Sequence, residues 1–507
     1  MESSATLIVR NAGVLDGLGS QVRPCDVVVA GNRIAAITDS GSDEVSDAVG
    51  SAGRAARVVD GGGRILSPGF IDVHSHDDAA VCVDPSMLCK TSQGVTTVVL
   101  GNCGIGLAPH SPALARQLSG ELNAVLGYAV PGQFPEYGDY LQFLADSACA
   151  VNRVGLVPHG ALRLAVMSDP NRQADSGEID RMCALLRAAL GAGAVGMSTG
   201  LVYHPGRFAS EAELARMCQV LAEADGIYVS HIRDEGARLL ESVDEALRLG
   251  RTTGCSVHVS HLKAIGLDGM DRMQRALEAI NQAAGSGVSV TFDVYPYTSG
   301  STALEPALRA ANSSDTSPRA VRIVSAPELP DFEGRHLFDI AKEWGMDQEQ
   351  AVARILELDS SVTAAIELMA PETVAAAIVS PVAMIGSDGL PNPRGRSHPR
   401  LYGTFPRVLR RYTRPDGPLE LADAVRRMTS FPARRFGAPD RGVIQPGMRA
   451  DLVLFDPDTV RDRSTDAQPD LLADGIELVV VNGTITVERQ APSRAFAGEL
   501  VRYRRLP

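Results

Sequence analysis

The 507-residue chain has no surplus of positive charge, since 61 acidic side chains against 48 basic ones leave a formal net charge of −13. Nucleic acid and anionic membrane both require a basic footprint, so neither is expected as a partner. Nor is there a long apolar run: the longest are strand-length and broken by Gly, Ser or His, too short to span a bilayer. Residues 1–10 show no basic segment followed by an apolar core, so no secretory signal is read there. Eight cysteines are scattered without framework spacing, the pattern of reduced thiols in a long chain, and a cytoplasmic enzyme is expected. No internal repeat or low-complexity stretch stands out, and nothing signals an oligomeric state. What remains is an ordinary globular balance, 45% hydrophobic and 21% charged, which argues against wholesale disorder.

Both ends of the chain are strand-rich. Ala5 to Arg10, Asp26 to Ala30, Arg33 to Ile37, Arg57 to Asp60 and Arg64 to Leu66 are short β-prone runs separated by turn signals. Ala450 to Phe455, Ile476 to Val481 and Thr484 to Val487 repeat the pattern at the other end, around Asn482-Gly483. Neither set has enough strands to bury its own face, which predicts one β-sandwich assembled from 1–66 and 440–507.

The middle, 67–439, alternates strand-like runs with helical patterns, the signature of βα units. Eight such strands are read, beginning at Gly69, Gly94, Val154, Ala194, Ile227, Ser256, Val288 and Val382. The expectation is an α/β fold, a (β/α)8 barrel of TIM type whose site lies at the C-terminal strand ends. About 302–380 separates the seventh and eighth strands, too long for one loop, and is read as an inserted helical lid or subdomain.

Histidine is scarce, ten residues in all, and its placement is informative. His74 and His76 close the first barrel strand; at period two their imidazoles enter the barrel mouth together. His231 closes the fifth strand, His261 the sixth and Asp388 the eighth, while Cys103 follows the second. Imidazole, thiolate and carboxylate converging from separate strands are what a catalytic zinc site requires. Singly, each has a plainer reading as a hydrogen-bonded or packed residue. Joint placement in one barrel mouth lifts the set. His159 is weaker and reads as an outer neighbour. His258, three residues before His261, is read as facing the opposite side in a structural role. His110, His204, His336 and the remaining cysteines carry no functional expectation.

The run Gly69-Phe-Ile-Asp-Val-His-Ser-His-Asp-Asp78 resembles the opening motif of the amidohydrolase superfamily. Gly101-Asn-Cys-Gly104, Ser198-Thr-Gly-Leu201, Ser230-His-Ile-Arg-Asp-Glu235, Ser260-His-Leu-Lys263, Asp293-Val-Tyr-Pro-Tyr297, Gly386-Ser-Asp-Gly389, His398-Pro-Arg400 and Tyr402-Gly-Thr-Phe405 narrow the match. Together they are similar to the D-aminoacylase family, the N-acyl-D-amino-acid deacylases, over nearly the whole chain. The resemblance implies a tightly bound Zn2+ held by Cys103, His231 and His261. It also implies a second, weaker metal position formed by His74, His76 and Asp388, sharing Cys103. Lys263, Tyr295, Ser301 and Arg400 match positions that hold the substrate carboxylate in that family.

Three protein ligands leave zinc one open position for water. Asp388 is placed to take the proton from the attacking water and return it to the leaving amine. The expected substrate is a small molecule, an N-acyl-D-amino acid, of unspecified side chain and acyl group. A cyclic-amide hydrolase of the hydantoinase type is the first alternative. The fourth strand argues against it, because it carries no lysine of the kind those relatives carboxylate to bridge their metals. A barrel that lost catalysis and became a scaffold is the second, and the full set of ligand residues argues against that.

Overall fold

The computed structural model describes residues 5–41, 56–118, 121–129, 132–266, 269–312 and 316–503. The first five strands are β1 (Leu7–Val14), β2 (Arg23–Ala30), β3 (Arg33–Asp39), β4 (Arg57–Asp60) and β5 (Ile65–Pro68). The barrel follows with β6 (Phe70–Asp72), β7 (Val95–Leu100), β8 (Asn152–Pro158), β9 (Gly196–Gly200), β10 (Ile227–His231), β11 (Ser256–Val259) and β12 (Val290–Val294). After β13 (Ser299–Ala303), β14 (Val321–Ser325) and β15 (Thr363–Glu367), the eighth barrel strand is β16 (Ala383–Ile385). The chain ends with β17 (Leu452–Phe455), β18 (Ile476–Val481), β19 (Thr484–Glu488) and β20 (Ala491–Pro492).

The barrel strands form one parallel sheet in the order β16-β12-β11-β10-β9-β8-β7-β6, nearly closed on itself. Every residue of β7 and β8 is buried, as expected of parallel strands covered on both faces. Alternation divides the side chains: Phe70 and Val98 pack toward the surrounding helices, while Ile71, Val99, Leu156, Val229 and Met384 form a separate core with Phe436. The helices are set by local signals. In the one spanning Ser176–Gly191, Asp175 accepts from Glu178 N at 2.8 Å and the Glu178 carboxylate accepts from Asp175 N at 2.9 Å, a capping box.

The terminal strands join in one nine-stranded sheet, with β17 pairing antiparallel to β5. Leu7, Val9, Val27, Leu66, Leu452 and Leu478, drawn from both chain ends, share one core of their own. Val453 and Phe455 on the other face of β17 pack with the barrel helices, so this sheet is covered on both sides. Only Gly69 separates β5 from β6. A Cβ there would fall 2.2 Å from Thr96 Oγ1, so the sheet can lead straight into the barrel only through glycine. The segment between the seventh and eighth barrel strands carries the expected helices, among them Gln348–Leu358. It adds a three-stranded antiparallel sheet, β13-β15-β14, which the polar, Gly- and Ser-containing run Ser299–Ala303 did not announce. Among the described residues no helix is long and apolar enough to cross a membrane.

Candidate metal centre

The strand ends deliver the singled-out residues to one place. His231 is the last residue of β10, His261 lies two beyond β11, Asp388 three beyond β16, and Cys103 sits in the turn Asn102–Gly104 after β7. Cys103, His261 and Asp388 have φ of 53°, 33° and 49°. Non-glycine residues are uncommon in this left-handed region, which costs roughly 1–2 kcal/mol each and persists where surroundings over-determine it. Here β9 supplies part of that constraint. Ser198 Oγ donates to Gly101 O and accepts from Gly104 N at 2.9 Å, and a Cβ on Gly200 would meet Cys103 O at 2.1 Å. The fourth strand, which has no lysine, instead clamps the cysteine turn.

Cys103 Sγ lies 3.3 Å from His74 Nε2, 3.4 Å from His261 Nε2 and 3.6 Å from His231 Nδ1. Tetrahedral zinc, with Zn–S of about 2.3 Å and Zn–N of about 2.0–2.1 Å, sets sulfur and nitrogen about 3.5 Å apart. The donor set therefore fits that ion in type and in spacing. Asp388 Oδ1 is 3.5 Å from His74 Nε2 and 3.3 Å from His76 Nε2, bringing the other three expected ligands together. The compact triples are His74–Cys103–His261, His74–His76–Asp388 and His231–Glu235–His261, so His74 and His261 link the two halves through Cys103.

Each imidazole facing the thiol has a carboxylate at its other nitrogen. Glu235 Oε1 is 2.9 Å from His261 Nδ1, Glu235 Oε2 is 3.8 Å from His231 Nε2, and Asp293 Oδ2 is 3.3 Å from His74 Nδ1. Such partners fix the ring tautomer and aim the free nitrogen at the metal position. Neither carboxylate was singled out from the sequence. Glu235, four residues after His231, and Asp293, in the seventh strand, carried the same strand-end signal as the histidines. His258 needs correction: rather than facing away, it enters the barrel interior, with Nε2 3.0 Å from Asp293 Oδ2 and Nδ1 2.7 Å from Thr291 Oγ1. The reason is that β11 ends at Val259, so strand alternation does not extend from His258 to His261. His159 lies apart, paired to Glu213 at 2.8 Å in a buried cluster with Arg163.

A cavity of about 410 Å³ opens onto this cluster, lined by His76, His231, His261 and Asp388 and by Lys263, Tyr295, Ser301 and Arg400. The two cations are already engaged: Lys263 Nζ is 2.8 Å from Glu235 Oε1, and Arg400 Nη1 is 2.9 Å from Asp388 Oδ2. Arg400 also donates to Ser301 O at 2.8 Å and lies 4.7 Å from the centre of the Tyr295 ring. The buried Tyr295 hydroxyl has no hydrogen-bond partner among the described residues, a donor available to a ligand. Tyr203, unmarked in the sequence, stands edge-on to His231 with ring centroids 4.9 Å apart.

Burial opposes ionisation of the Cys103 thiol, yet His74 and His261, then hydrogen bonds from His231 and His261, hold it well below the ordinary thiol value. Burial likewise opposes the Asp388 carboxylate, but Arg400, His261 and His74 keep it well below the usual range. Burial lowers His231, favouring the neutral, ligating form. Glu235, raised by burial but lowered more by Lys263, His231 and His261, falls to about 2. Burial opposes protonation of His74, His76 and His261 too, yet the neighbouring carboxylates and the Cys103 thiol hold all three above the ordinary imidazole value, His76 at about 9, so thiolate and carboxylate are matched here by protonated rings whose protons a bound metal would displace.

Glu235→Gln keeps the side-chain shape while removing the charge that orients His231 and His261. We expect Zn2+ affinity, measured by competition with a chelator, to fall roughly 10- to 100-fold. Unchanged affinity would mean that the two rings are oriented by packing alone.

The amidohydrolase family model matches residues 57–373 and 362–487. An N-acyl-D-glutamate deacylase of Alcaligenes xylosoxydans xylosoxydans is 41% identical over 505 residues, covering 99% of this chain and 97% of the relative. A crystal structure of the N-acyl-D-glutamate deacylase of Bordetella bronchiseptica, complexed with zinc and a phosphonate mimic of the tetrahedral intermediate, is similar with a TM-score of 0.87. It is 38% identical and covers 99% of this chain and 100% of that one. A D-aminoacylase studied for the role of its binuclear metal centre superimposes with a TM-score of 0.88 at 39% identity, covering 99% of this chain and 100% of that one. With this agreement along its whole length, the chain belongs to the amidohydrolase family, in its D-aminoacylase branch.

Proposed function

We propose that the chain is a zinc-dependent hydrolase of N-acyl-D-amino acids, releasing a carboxylic acid and a free D-amino acid. The observation that carries this reading is Cys103 Sγ within 3.3–3.6 Å of three imidazole nitrogens, with Asp388 beside them on a cavity wall. In the proposal Cys103, His231 and His261 hold one zinc tightly, and His74, His76 and Asp388 form the weaker position with Cys103. Bound zinc supplies Lewis acidity toward the attacking water and the scissile carbonyl. Asp388 takes the proton released as the water oxygen bonds to the carbonyl carbon. It then delivers that proton to the nitrogen as the C–N bond breaks. Tyr295, Ser301, Lys263 and Arg400 hold the α-carboxylate, with the Tyr295 hydroxyl as a donor that no group among the described residues uses. The D configuration rests on the relatives. A reducing, cytoplasmic setting is proposed on the eight cysteines, all unpaired.

The cavity also favours an acidic side chain. Of its basic residues, Arg233, Arg238, Lys263, Arg309 and Arg400 each lie within ion-pair distance of a carboxylate. Arg207 stacks 4.9 Å over the Phe208 ring and has no carboxylate partner among the described residues. We therefore propose that Arg207 receives a second substrate carboxylate, in line with the D-glutamate relatives.

Hydrolysis of N-acetyl-D and N-acetyl-L amino acids should show D over L, and D-glutamate or D-aspartate over D-leucine. Arg207→Met should narrow the acidic preference about 5- to 10-fold, the modest end for a charge-assisted contact because this guanidinium is exposed. No hydrolysis of any D substrate would overturn the function; a preference untouched in Arg207→Met would overturn the role of that residue.

The proton route has its own test. Asp388→Asn should retain the tightly bound zinc but lose kcat by roughly 10²-fold or more. A kcat within a few-fold of the parent would move proton transfer to another group.

A further inference from the structure

The barrel ladder runs from β16 round to β6, and among the described residues these two strands share no ladder rung. What closes the gap lies above them. Ser75 and Gly389 form an isolated parallel bridge, Asp388 N donates to His74 O at 2.8 Å, and His76 N donates to Gly389 O at 3.3 Å. The loops that carry His74 and His76 on one side and Asp388 on the other therefore are the seam. Gly386 lets them meet, since a Cβ there would stand 2.6 Å from His74 Cβ.

Behind the seam sits an ammonium group that the mechanism does not use. Lys90, on the short helix Leu88–Thr91, is fully buried; its Nζ is 2.8 Å from Asp72 Oδ2, 2.8 Å from Ser387 Oγ and 3.2 Å from Asp77 Oδ2. Asp72 ends β6, and its carboxylate accepts from Ser387 N at 2.7 Å, Ser387 Oγ at 2.6 Å and His74 N at 3.3 Å. One cation thus binds the residue two before His74 to the residue just before Asp388. Three residues on, Gln93 donates to Leu401 O at 2.7 Å and accepts from Phe405 N at 3.3 Å. That pair ties the same segment to the helix Arg400–Tyr412, whose first residue is the partner of Asp388.

A lysine is almost never fully buried unless paired, and taking its charge out of water is costly. Apolar packing would close a seam as firmly, but it would not fix the two loops by directed bonds. By contrast, β7, β10 and β11, which lead to Cys103, His231 and His261, are each paired with a barrel strand on both sides.

We propose that Lys90 is a positioning residue for one half of the metal centre: through Asp72 and Ser387 it holds the His74–His76 loop against the Asp388 loop, and the Cys103–His231–His261 half does not depend on it. The assignment of the two metal positions rests on the function proposed above; the mechanical linkage across the seam does not.

The full-length chain and the variants Lys90→Met and Ser387→Ala are compared by hydrogen–deuterium exchange and by Zn2+ titration after chelator stripping. Peptides covering 72–78 and 385–390 should exchange at least 10-fold faster in the variants, and those covering 101–104, 229–232 and 259–262 within 2-fold of the parent. The second zinc should bind at least 10-fold more weakly, and the first within 3-fold. Ser387→Ala removes a hydroxyl without leaving a carboxylate facing apolar atoms, and it decides the matter if Lys90→Met does not fold. Unchanged seam exchange, or equal acceleration at all ligand peptides, would overturn the proposal. A parent without hydrolytic activity would overturn the proposed function and leave the exchange result to judge the seam.

Discussion

Cys103 Sγ, ringed by nitrogens of three histidines at 3.3–3.6 Å, sets the terms for everything around it. A buried thiolate is costly unless cationic or metal partners offset the lost hydration. Each imidazole facing it must in turn present a lone pair rather than a proton once a metal is held. That demand explains the carboxylates behind the rings, Glu235 for His231 and His261, Asp293 for His74, and Lys263 and His258 behind those carboxylates. The same demand explains the backbone cost accepted at Cys103, His261 and Asp388, all in left-handed conformations.

The centre divides along the topology of the barrel. Ligands expected to hold the tighter zinc come from strands inside a continuous ladder. Those expected at the weaker position, Asp388 among them, come from loops that face one another where the ladder stops. In the proposed reaction Arg400 would be shared between chemistry and recognition, because its guanidinium touches Asp388 while lining the cavity. A bound substrate anion would compete for that guanidinium, so binding and base strength are electrostatically linked at this residue.

Much of this arrangement was legible in the sequence, and the boundary of legibility has a physical basis. Buried parallel strands announce themselves as apolar runs ending in polar residues, so the eight barrel strands and the histidines at their ends were readable; the starts of β9 and β12 were both read two residues early, the Gly, Ser and Thr content of β9 blurring its edge. The three-stranded sheet near the cavity was not readable, because Ser299–Ala303 is built of small polar residues whose strand character comes from its partners. Glu235 and Asp293 lay inside runs already noticed, but a carboxylate at a strand end has many ordinary uses, and only distance shows that it backs a ring. His258 was misassigned because alternation was carried past the last residue of its strand. Lys90 was invisible for a different reason: its partners Asp72 and Ser387 are 18 and 297 residues away, and only the closure of the barrel makes them neighbours.

In the proposed site one thiolate and two imidazoles hold the tight metal. Zinc K-edge X-ray absorption on protein loaded with a single equivalent of zinc tests this most directly. The expected spectrum has one sulfur scatterer at about 2.3 Å together with nitrogen scatterers at about 2.0–2.1 Å, and it loses the sulfur shell in Cys103→Ala. A spectrum with only nitrogen and oxygen neighbours in the parent protein would contradict this ligand set.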